Sequence, residues 1–114
     1  MDEILDLAAR LGKSIGADPR AKRLTEARAA LQNSLEDRQL LADYENQQRK
    51  MHALEIENKP IEPEDKRKLA DLHGKVISSK ALKDLLTVEA DYLELTTMVS
   101  QRIEQEALRS TGQD

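Results

Sequence analysis

From Lys80 to Arg109 the chain runs for 30 residues without a glycine or a proline. At 1.5 Å per residue a helix of that length extends about 45 Å, more than a small domain is wide. Leu85, Val88, Tyr92, Leu95, Val99 and Ile103 recur in it at spacings of three and four and make one apolar stripe. Leu82, Leu86 and Leu93 make a second stripe beside the first. At 100° per residue the two together span about half of the circumference. A helix in a simple hairpin needs a narrower face, so this one calls for neighbours on two sides.

The composition agrees with a helical chain. Ala, Glu, Lys, Leu and Arg supply 60 of the 114 residues, whereas Val, Ile and Thr number 14, too few to build a sheet. Cysteine is absent, which removes disulfide scaffolds, zinc ribbons, thiol redox sites and iron–sulfur ligation. No apolar run approaches the ~18 residues of a membrane-spanning helix. The acidic start Met1-Asp2-Glu3 is unlike a signal peptide, so a cytoplasmic location is expected. A net charge of −4 gives no footprint for wholesale nucleic-acid binding.

Four breaks divide the chain into five helices. Ile4, Leu7, Ala8, Leu11 and Ile15 form one stripe, which Gly16 and the Asp18-Pro19 pair should end. Asp18 can cap the next helix, with Pro19 in its first turn, where a missing N–H costs nothing. That helix turns Leu24, Ala27 and Leu31 inward. Asn33 with Glu36 has the form of a capping box and opens a third helix to about Glu57. Leu40, Tyr44, Gln47, Met51 and Leu54 lie on its heptad face, with Gln47 as the one polar member. Asn58-Lys59-Pro60-Ile61-Glu62-Pro63 is the clearest turn, because each proline pushes the residue before it out of helical geometry. The fourth helix buries Leu69, Leu72 and Val76, and Ser79 caps the fifth.

The reading is therefore all-α. It consists of a long antiparallel, coiled-coil-like hairpin with two shorter N-terminal helices, in one domain spanning 1–114. The ordered core is expected at 3–109 and a frayed tail at 110–114. About 15 Å or more of the fifth helix projects past the hairpin. A second copy of the chain is the economical cover for it, and the first two helices folding back are the alternative. The seam expected to carry association is Leu85, Val88, Tyr92, Leu95, Val99 and Ile103, with Leu40, Tyr44, Met51 and Leu54 on the third helix.

No catalytic constellation emerges. His73 sits at the edge of the Leu69–Leu72–Val76 face and reads as a half-buried helix histidine, and His52 lies at the margin of the heptad face. The run His73-Gly74-Lys75 has the wrong order and spacing for a phosphotransfer histidine. Neither histidine has a glutamate three residues before it, as a di-metal bundle site would require. Glu89 alone among the carboxylates falls inside the apolar arc of the last helix, where a seam-edge salt bridge is expected. Basic residues cluster at Arg20, Lys22, Arg23 and Arg28 and at Lys66, Arg67 and Lys68. From Asp84 to Asp114 seven carboxylates face only Arg102 and Arg109. This polarity suits the alignment of protein partners. It lacks the aromatic interleaving that single-stranded nucleic acid would need.

Three stretches carry a resemblance. Leu7-Ala8-Ala9-Arg10-Leu11-Gly12-Lys13-Ser14-Ile15 is followed by Ala21-Lys22-Arg23-Leu24-Thr25-Glu26-Ala27. Leu40-Leu41-Ala42-Asp43-Tyr44-Glu45 is followed by Gln47-Gln48. Ile61-Glu62-Pro63-Glu64-Asp65 precedes the spaced leucines 69, 72, 82, 85 and 86. In this order the chain resembles the YlbF/YmcA family of small all-helical bacterial proteins over about residues 4–108. Glu62 departs from the Ser or Thr usual at that helix start, and Asn58-Lys59 replaces the common Gly at the hairpin tip. The resemblance implies a non-enzymatic regulatory protein that forms homo- or hetero-oligomers. It also implies links to competence, sporulation and biofilm control and to RNA processing through a partner ribonuclease. Some members have cysteines associated with an iron–sulfur cluster, a property this cysteine-free chain does not share. The expectation is a regulatory adaptor acting as a homodimer or higher homo-oligomer with protein partners. It has no catalytic, cofactor or metal site, no membrane association and no direct nucleic-acid contact. A small helical-hairpin chaperone or export chaperone is the alternative.

Overall fold

The computed structural model describes residues 2–112. Five helices follow in order: α1 (Glu3–Ala17), α2 (Pro19–Leu31), α3 (Leu35–Ile56), α4 (Pro63–Ser78) and α5 (Lys80–Ser110). The fold is all-α, and each expected helix is present. Of the expected tail, Ser110 closes α5, while Gln113 and Asp114 lie outside the described residues.

The caps explain the boundaries. Asp2 accepts the Ile4 N–H at 3.0 Å and opens α1. Gly16 does not end that helix, which continues to Ala17. The stop is Asp18, whose extended backbone breaks the helix and whose carboxylate accepts the Arg20 N–H at 2.8 Å to start α2. Ser34, not Asn33, caps α3: its Oγ accepts the Asp37 N–H at 3.1 Å. A capping box read one residue early fails because serine is the better-placed acceptor.

The hairpin between α3 and α4 turns on Asn58, whose φ of 56° places it in the left-handed region. The Asn58 N–H donates to the Glu55 carbonyl at 3.1 Å and the Lys59 N–H to the Leu54 carbonyl at 2.9 Å. These two bonds form a Schellman motif, with asparagine in the place glycine usually takes. α4 then begins at Pro63. Glu62 occupies its N-cap without a side-chain cap bond, so proline and the first-turn acids Glu64 and Asp65 carry the start.

Two compact units divide the chain. One comprises residues 27–86. In it α3 packs against α4, and Leu31, Leu72, Val76, Leu82 and Leu85 are buried, with Val76 and Leu82 wholly inaccessible. Ser79 fastens this unit at two points. Its Oγ donates to Asp37 Oδ1 at 3.1 Å and accepts the Leu82 N–H at 3.3 Å, which caps α5 as expected. The other unit comprises residues 1–26 and 87–114. Among its described residues Leu24 is buried, and Ile15, Val88, Tyr92, Leu95 and Val99 are half-buried.

Candidate interaction surfaces

In the unit of residues 27–86 the polar heptad position has a definite role. Gln47 is 3% exposed, and its Nε2 donates to the backbone carbonyl of Asp65 at 3.0 Å. One helical turn further along α3, Lys50 Nζ meets Asp65 Oδ1 at 2.9 Å. The Lys50 ammonium holds the Asp65 carboxyl below its ordinary range. Both bonds fix the start of α4 against the middle of α3. The Tyr44 ring stands 5.9 Å from the His73 ring, tilted by 42°. His73 is exposed rather than half-buried, because its position falls beyond the buried line of Leu72 and Val76.

A groove of about 940 Å³ runs between α3 and α4, walled by Glu36, Asp37, Leu40, Asp43, Asp71 and Lys75 among others. Its lining includes no histidine, and the Ser79 hydroxyl and Asp37 carboxylate on its wall are bonded to each other, with the same hydroxyl accepting the Leu82 N–H as a helix cap. Among the described residues no group of three or more His, Asp or Glu side chains is placed to hold a metal ion.

In the other unit, Asp18 and Arg20 form a two-pronged pair. Arg20 Nε reaches Asp18 Oδ1 at 2.9 Å, and a terminal guanidinium nitrogen reaches Oδ2 at 3.1 Å. The Arg20 side chain and its backbone N–H together lower the Asp18 carboxyl from 3.8 to about 2. The Asp18 bond raises the Arg20 guanidinium, and the charges of Asp91 and Glu94 on α5 add to it. Part of the charge segregation read along the sequence is therefore satisfied within the chain.

The expected seam residues fall into three conditions. Leu85 is buried. Val88, Tyr92, Leu95 and Val99 on α5 and Leu40, Tyr44, Met51 and Leu54 on α3 are half-buried. Ile103 is 55% exposed. Leu93, expected in the second stripe of α5, is exposed, and so are Met98 and Leu108. Glu89 is half-buried, at the margin its place in the arc implies. The α1 stripe is different again. Ile4 is 76% and Leu7 52% exposed, Leu11 is also exposed, and only Ile15 is half-buried. Periodicity marked these positions as apolar and could not tell a face covered by the chain itself from one left open.

These features define an all-helical module with open apolar faces and a polar groove between α3 and α4. The chain belongs to the family described as Control of competence regulator ComK, YlbF/YmcA, whose model matches residues 4–107. That description is of regulators and names no catalytic activity. The fold is similar to that of a protein of unknown function (DUF964) from Bacillus stearothermophilus. The TM-score is 0.73 at 15% identity, over 98% of this chain and 95% of the other. No curated protein matches the chain. No helix among the described residues is long and apolar enough to cross a membrane.

Proposed function

We propose that the chain is a non-enzymatic regulatory adaptor of the cytoplasm. It acts by helix-mediated self-association and by docking a protein partner. Its family membership supports the regulatory part, since the family is one of control of a competence regulator. The observation that carries the mechanism is the run of exposed large apolar side chains on α1 and on the last turns of α5: Ile4, Leu7, Leu11, Met98, Ile103 and Leu108. Apolar faces of this kind on a small protein mark interaction sites. The half-buried seam of α5, from Val88 to Val99, extends the same reading.

Two experiments test it together. Size-exclusion chromatography with light scattering measures self-association, and a chain that stays monomeric at micromolar concentration counts against it. Deletion of the coding region in the source bacterium, followed by transcript profiling, tests regulation. The expected result is a changed developmental or RNA-processing programme that the intact chain restores and Leu7→Asp does not. An unchanged profile overturns the regulatory role.

A further inference from the structure

We draw no further inference here: the strongest candidate, the exposed apolar face of α1 at Ile4, Leu7 and Leu11, carries none because nothing in the structure shows what covers it.

Discussion

Gln47 is buried on α3 and gives its side-chain N–H to the backbone carbonyl of Asp65 at 3.0 Å, joining the middle of one helix to the first turn of the next. A polar side chain at a heptad position sets register at some cost in stability. Gln47→Ala removes the bond and opens a cavity, and should lower unfolding free energy by about 1–3 kcal/mol. Gln47→Leu refills the volume, and the Asp65 carbonyl keeps its place in the helix, so the loss should be about 1 kcal/mol or less. Urea denaturation of both variants checks the order. A larger loss for leucine than for alanine would mean that the site cannot accommodate the branched side chain, and would contradict the cavity account.

The hairpin tip depends on a left-handed residue. Asn58→Gly relieves the Cβ cost and should leave stability unchanged or raise it by up to about 1 kcal/mol. Asn58→Val should lower it by about 1–2 kcal/mol, since a β-branched residue is poorly tolerated there. Thermal melting of the two variants gives the comparison.

Asp18 links stability to pH. Its carboxyl is lowered from 3.8 to about 2, first by the Arg20 side chain and then by the Arg20 backbone N–H. A depressed folded-state value contributes stability that is present above the ordinary value and lost as pH falls from about 4 towards 2. Carboxyl NMR titration should find Asp18 among the lowest values in the chain. Melting temperatures followed through that window should fall more steeply for the natural chain than for Asp18→Asn. Parallel slopes would show that the pair does not persist in solution.

Tyr92 and Asp91 are adjacent in sequence and unlike in placement, one half-buried and one exposed. Tyr92→Asp sets a charge against an apolar surface and should cost about 2 kcal/mol or more. Asp91→Ala should change stability by about 0.5 kcal/mol or less. Calorimetry and sedimentation of the two variants together would detect an effect on folding, on association or on both. Equal effects would remove Tyr92 from the α5 seam.

The helices were legible because their breaks are chemical. Pro60, Pro63, the Asp18-Pro19 pair and Ser79 stop or start helices by backbone geometry and capping, which act within a few residues. Gln47 was visible as the odd member of its stripe, but its acceptor was not, because a backbone carbonyl leaves no mark in a sequence. The choice of Ser34 over Asn33 turned on a single residue of register. Burial was the least legible property. Leu72 and Val76 are buried and Ile4 and Leu7 are open, yet both pairs sit in apolar stripes of the same period. Which stripe is covered depends on tertiary neighbours that local spacing does not encode.

The proposed self-association is tested most directly by sedimentation equilibrium of the natural chain beside Leu7→Asp. Leu7 is half exposed and not needed for the buried core, so its replacement should leave the far-UV helix signal intact. The natural chain should sediment at twice its 12.9 kDa at concentrations of about 10 μM, and Leu7→Asp at 12.9 kDa. A natural chain that remains at 12.9 kDa up to about 100 μM, or a Leu7→Asp chain that stays dimeric, would contradict it.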